Sequence, residues 1–236
     1  MTPHAKKARK TCDLRSCFLC KTCQEAWHSA IDAHRDNFNF KKGELVFQEG
    51  DPVSGIYFVY NGSVKVHKKW GDKELIVRFA RKGDLFGHRG LGDPHKELVY
   101  PISATALEPL TVCFIDLAFL QASLDVNRSF TQAIIGFYAT ELQESEQKMR
   151  NLAHMPVKGR IAQSLLYLRE KFGCTEDGAI DLHLSRQDLA SFAGTTYETV
   201  FRIMNEFARD ELISISGKEI CVLQPTLLDQ SSSTPM

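Results

Sequence analysis

A chain of 236 residues is long enough for one large domain or two of ordinary size. Hydrophobic residues make up 43% and charged residues 25%, an ordinary globular balance, and no apolar run approaches the ~20 residues that span a bilayer. The formal net charge is zero, which excludes a polycation that coats nucleic acid and leaves room only for a localised basic patch. The basic start, MTPHAKKARK, has no apolar signal core behind it, so the expected compartment is the cytoplasm. Seven cysteines there suggest metal or thiol chemistry more than a disulfide frame.

Residues 1 to 11 carry Lys6, Lys7, Arg9 and Lys10 without an acid and read as a disordered basic arm. TCDLRSCFLCKTCQEAW follows, with Cys12, Cys17, Cys20 and Cys23. The last three are spaced C-x2-C-x2-C, which lets one short loop wrap its thiolates around a single centre. Iron–sulfur sites use such runs with a more distant fourth cysteine. A structural zinc would want four closed ligands, with Cys12 or His28 as the fourth. Unligated surface thiols are the remaining reading, at odds with how readily exposed thiols oxidise. Residues 24 to 38 read as a short helix that closes this first segment, 1–38.

Between residues 39 and 124 the pattern changes to short strands: ELVF, IYFVY, SVKVH, ELIVRF and TVCFI, rich in β-branched and aromatic residues. Turn signals such as Asn61-Gly62 and Lys82-Gly83-Asp84 separate them, as in a small barrel or jelly roll. Nothing here has the spacing of a nucleophile and its base, so no enzyme is expected. Cys113, inside an apolar strand, reads by itself as a core residue.

Residues 125 to 155 read as one long helix. Ile135, Tyr138, Leu142, Ser145, Met149 and Leu152 alternate steps of three and four, a heptad seam with charge off it. A second copy of the chain is the simplest partner for such a seam, and packing on the protein's own barrel is the alternative. Met155-Pro156 breaks the helix. A further helix spans 157 to 172, ahead of SRQDLASFAGTTYETVFRIMNEF. There Ser185 with Asp188 forms a capping box, Gly194 turns the chain, and Thr195 or Thr196 caps a second helix led by Glu198. Glu198 and Arg202 share a face, beside Tyr197 and Phe201. A helix-turn-helix has this size, and its second helix enters a major groove with its first residues leading. Arginine can donate twice to guanine and glutamate can accept from cytosine. An ordinary helical hairpin would look the same locally. A β-hairpin, LISIS-GK-EICVL, ends the segment 156–225, and 226–236 reads as a frayed tail.

The order of these parts resembles one family, the CRP/FNR transcription regulators, named for the cyclic-AMP receptor protein and the fumarate–nitrate regulator. The resemblance covers nearly the whole chain and is strongest in KMRNLAHMPVKGRIAQSLLYL, LSRQDLASFAGTTYETVFRIMNEF and LISISGKEICVL. It implies an α+β protein: an N-terminal β-roll like a cyclic-nucleotide-binding domain, a long dimerisation helix, and a C-terminal winged helix-turn-helix. The implied function is a cytoplasmic homodimer on a palindromic double-stranded DNA site, its two reading helices about 34 Å apart. Glu198 and Arg202 match the family's base-reading pair, which implies a TGA-like core. Tyr197 and Phe201, next to Thr196, depart from its usual residues, and Phe201 could meet a thymine methyl or serve packing. Lys158, Arg160, Arg186, Arg209 and Lys218 are the expected phosphate contacts. Activation would call for RNA polymerase as a further partner, with no membrane involved.

The family's cyclic-nucleotide pocket uses a glutamate just after its GDxxG turn and an Arg-Ser pair on the phosphate. GDLFGHRGLGD has His88 in the first place, and KELVYPISATA has no arginine in the second. Cyclic AMP is therefore not expected to bind. The oxygen-sensing branch has an N-terminal cysteine cluster and one cysteine in the strand before the long helix. Cys113, in LTVCFID, matches the latter. With Cys17, Cys20 and Cys23 it completes the four thiolates of a [4Fe–4S] cluster. The final gap in the cluster is shorter here than in that branch, which leaves Cys12 as an alternative ligand. The rival readings are a regulator with an unknown small-molecule effector or no sensor, and a cysteine-based metal or redox protein.

Overall fold

The computed structural model describes residues 6–7, 15–92 and 97–233. Most of the basic arm, and Cys12 with it, lies outside the described residues. Within the arm, β1 (Lys6–Lys7) pairs with Phe38 and Asn39. The chain divides into two compact units. One runs through Lys69 and resumes over Val77–Leu142; the other takes Trp70–Ile76 and everything from Gln143.

Ahead of the long helix, α1 (Phe18–Thr22), a 3₁₀ turn and α2 (His28–His34) lead into β2 (Asp36–Phe40), β3 (Leu45–Phe47), β4 (Gly55–Asn61) and β5 (Val64–Trp70). Next come β6 (Lys73–Ala80), β7 (Leu85–Phe86), β8 (Ser103–Ala106) and β9 (Leu110–Asp116). One sheet has the order β1-β2-β9-β4-β7 and the other β3-β8-β5-β6. The residues of β9 alternate between two cores. Leu110 and Val112 join Phe47, Tyr57, Phe86 and Tyr100, where Phe47 and Tyr100 stack at 3.9 Å. Cys113 and Ile115 face the opposite way, into a second cluster with Leu19, Ile31, Phe119 and Phe130. Period-two alternation is what sorts a strand's residues onto two faces. Gly62 holds φ 89° at a turn where an added Cβ would sit 2.5 Å from the Pro109 carbonyl. No side chain fits there, which is why the Asn61-Gly62 signal is so firm.

Three expectations need correcting here. The helix expected over 24 to 38 ends at His34, and Asp36–Phe40 is a strand. Phe40 is buried and Phe38 half-buried on one face, and pairing with β9 outweighs the preceding helical pattern. The segment 39 to 124, read as strands, ends in a helix, α3 (Leu117–Val126), ahead of the expected long helix, which is α4 (Arg128–His154). Asn127 separates them, donating its amide to the Ser123 carbonyl, the local competition by which Asn ends helices. The described part of the tail is not frayed. Pro225–Ser233 is a helix, α8, with Leu228 fully buried. Proline at its first position was the available signal.

The second unit carries α5 (Val157–Phe172), α6 (Arg186–Ala193), α7 (Tyr197–Arg209) and the hairpin β10 (Ile213–Ser216) with β11 (Glu219–Val222). Ile161, Leu165, Leu168, Leu189, Val200, Ile203, Met204, Phe207 and Leu228 are buried in it. No helix among the described residues is long and apolar enough to cross a membrane.

Candidate DNA-reading face and thiol pocket

Each helix of the α6–α7 pair starts at a residue that caps it. Ser185 Oγ accepts from the Asp188 backbone N–H at 2.9 Å, and Thr196 Oγ1 from that of Thr199 at 3.3 Å. Gly194 takes the left-handed conformation, and a Cβ there would lie 2.4 Å from Leu152 Cδ2. Arg160, expected at phosphate, is committed to this turn instead. Its guanidinium donates to the carbonyls of Met155, Ala193 and Gly194 at 2.9, 2.9 and 3.1 Å. Those carbonyls stand at the ends of helices, and the cation bridges them.

The residues expected to read bases share the exposed start of α7. Thr196, Tyr197, Glu198, Phe201 and Arg202 are all exposed, and the Tyr197 and Phe201 rings lie 6.4 Å apart and nearly parallel. The Glu198 backbone N–H and the Thr196 hydroxyl hold the Glu198 carboxyl below its ordinary range, so it stays an acceptor. Arg202 rests on Glu206 at 2.5 Å, and Glu206 also takes Lys158 at 3.3 Å. Arg186 reaches the Gly217 carbonyl at 3.5 Å, which brings it to the hairpin turn where Lys218 is exposed.

The four cysteines of the expected cluster belong to one buried core. Cys17 and Cys23 flank α1, Cys20 is inside it, and all three are buried with Cys113 in the second core. The arm that carries them is fastened to the α3–α4 junction. Gln24 N–H donates to Asn127 Oδ1, Trp27 Nε1 to Ser123 Oγ, and Ser129 Oγ to the Thr22 carbonyl. Phe18, next to Cys17, packs edge-on against Phe130 and Phe137 of α4. Burial, and then the neighbouring Cys17, push the Cys23 thiol up to about 12. Among the described residues, no three His, Cys, Asp or Glu stand grouped so as to hold a metal ion. The donor set still fits one. It is all thiol, shielded from water, and its thiolates need the positive charge that an iron centre brings. Cys174 and Cys221 lie in the other unit.

Sequence reasoning missed a buried charge cluster beside this pocket. Glu141 of α4 meets Arg78 Nε at 2.9 Å and Arg89 at 3.1 Å, with His88 Nε2 at 3.6 Å. Arg78 also donates to the Leu85 carbonyl and lies over the Phe137 ring. Tyr138 donates its hydroxyl to the His88 carbonyl, so this seam residue leans on its own chain. Ile135, Leu142 and Met149, seven apart on α4, are 63%, 60% and 59% exposed.

Two domain patterns match the chain. The cyclic nucleotide-binding domain matches residues 37–127, and the Crp-like helix-turn-helix domain matches residues 159–231. Among similar proteins, the transcriptional activator protein anr of Pseudomonas aeruginosa is 30% identical, over 78% of this chain and 75% of its own. The global nitrogen regulator of Synechococcus elongatus is 28% identical, over 82% of this chain and 88% of its own. In structure, FixK2 from Bradyrhizobium japonicum shares the fold at a TM-score of 0.75 and 23% identity, covering 85% of this chain and 98% of that one.

Proposed function

We propose, for a chain that belongs to the CRP/FNR family of transcriptional regulators, a homodimer that reads inverted-repeat DNA and takes its signal from an iron–sulfur cluster on Cys17, Cys20, Cys23 and Cys113. DNA binding itself follows from the helix-turn-helix domain. The observation that carries the sensing role is the burial of all four thiols in one core, three of them on an arm bonded to the start of α4. A bound cluster would supply sensitivity to oxygen or nitric oxide. The chain's residues supply the readout: Phe18 packs on Phe130 and Phe137, so a shift of the cysteine arm is felt along α4. Glu141 already engages Arg78 and Arg89, which supports the reading that no cyclic phosphate is held there, and cyclic AMP is not the signal.

Protein purified without air is expected to be coloured and to contain about four iron and four sulfide per chain. It should bind an inverted repeat more tightly than the air-treated protein does. Colourless, iron-free protein under those conditions overturns the sensor, while leaving the DNA-binding assignment intact.

On the DNA side, Arg202→Ala is expected to cost about 1–3 kcal/mol and to relax discrimination at one base position. Fluorescence anisotropy across single-base variants of the repeat measures this. An equal loss on every sequence would make Arg202 a phosphate contact. Lys158→Ala and Lys218→Ala should, by contrast, weaken all sequences alike and flatten the salt dependence.

A further inference from the structure

Asn37 adds a residue to the thiol pocket, on the premise that the iron–sulfur reading above is right. It is 1% exposed, and in the β2–β9 ladder it stands directly opposite Cys113. Phe58 of β4 is the partner of Cys113 on its other side. Cross-strand partners present their side chains on one face, so the Asn37 amide belongs to the side of the sheet where the thiols gather. Half of that amide is committed. Its Oδ1 accepts from Arg35 Nη1 at 3.0 Å, and Arg35, itself buried, is anchored on Asp32 at 2.7 Å. This clamp decides which way the amide is turned. It leaves Nδ2 facing away from Arg35 with no hydrogen-bond partner. Buried amide donors are nearly always satisfied, so an orphan held in place by a buried arginine needs an acceptor.

A neutral thiol is a poor acceptor and a thiolate is a strong one. We propose that Asn37 Nδ2 donates an N–H···S hydrogen bond to the Cys113 sulfur when that sulfur ligates iron, and that this bond sets the reduction potential and air tolerance of the cluster. The bond draws charge from the sulfur and favours the reduced, more negative state, so it raises the potential. Asn37 is a positioning residue here, acting through Cys113 and not as a ligand.

The first test uses the wild-type chain, labelled with ¹⁵N in asparagine side chains, reconstituted with iron and sulfide without air and reduced with dithionite. Pulsed electron paramagnetic resonance should show coupling of a side-chain ¹⁵N to the cluster. The second test compares Asn37→Leu, close in size but without the donor. Its potential should shift downward, its ¹⁵N coupling should vanish, and its iron should be lost in air about 10-fold faster. A purely structural role would lower the folding stability of the iron-free protein and leave the coupling absent in both chains. Wild-type protein that loads iron but shows no such coupling overturns the inference, whatever becomes of the variant. Wild-type protein that loads no iron overturns the cluster reading beneath it.

Discussion

Glu141→Ala is expected to destabilise the N-terminal unit by about 3–5 kcal/mol, because it leaves a buried guanidinium without its counter-charge. Arg78 is 6% exposed, and its other acidic neighbour, Asp84, stands at 3.8 Å against 2.9 Å for Glu141. Urea unfolding of wild type and variant measures the loss. The pair itself is not expected to be worth that much. Desolvation of two charges offsets most of their attraction, so Arg78→Met with Glu141→Leu should recover much of the difference. A double variant as weak as the single one would mean that the arginine stabilises through its Leu85 and Phe137 contacts instead.

The same cluster gives the stability a defined acid limb. Burial raises the Glu141 carboxyl, but the His88 ring and the Arg78 and Arg89 charges more than reverse this and hold it at about 2. The folded state therefore favours the ionised form. Its contribution, about 3 kcal/mol, is complete above the ordinary value of 4.5 and is lost as the pH falls from there through about 2. His88 acts earlier. Burial lowers its pKa, against a contribution from Glu141 that raises it, so the unfolded chain takes up the proton first and stability begins to fall below 6.5. In Glu141→Gln the lower step should disappear from a stability–pH curve.

The helix-turn-helix was legible because its signals are local. The Ser185 and Thr196 caps, Gly194 and the buried stripe of α7 each lie within a turn or two of what they specify. The helix ahead of that pair, α5, needed only Pro156 before it and Gly173 after it. Other elements failed where the deciding partner is distant. Asp36–Phe40 becomes a strand because β9 is there to pair with it, and β9 follows dozens of residues later. Ser103–Ala106, made of small residues, has no bulk to announce a strand, yet β3 and β5 enclose it. The charge cluster was invisible for the same reason. His88 could be read only as a missing glutamate, whereas the fold brings Glu141 from the long helix to meet Arg78 and Arg89. Asn37 fell inside the helix expected over 24 to 38 and is instead the strand residue opposite Cys113.

Leu142→Asp is expected to produce a monomer and to lower affinity for an inverted repeat by about 100-fold or more, while leaving the fold of each unit intact. Of the six residues expected along the seam, Ser145 is small and polar, and two others have neighbours in their own chain: Tyr138 bonds the His88 carbonyl, and Leu152 lies under Gly194. Ile135, Leu142 and Met149 remain, strictly seven apart and more than half exposed. Large apolar side chains repeating at that interval on one helix leave a stripe whose burial favours a partner helix with the same stripe. A twofold dimer satisfies both copies at once. Aspartate at the central position would set like charges against each other at the core of the contact, which costs several kcal/mol. Splitting the dimer turns a bivalent DNA contact into two monovalent ones and forfeits an avidity of about 10²–10⁴. Sedimentation and binding to one half-site against two separate these steps. The variant should match wild type on a single half-site and fall away only on the repeat. A dimer that survives Leu142→Asp with its affinity for the repeat intact would locate the partner contact elsewhere on the chain.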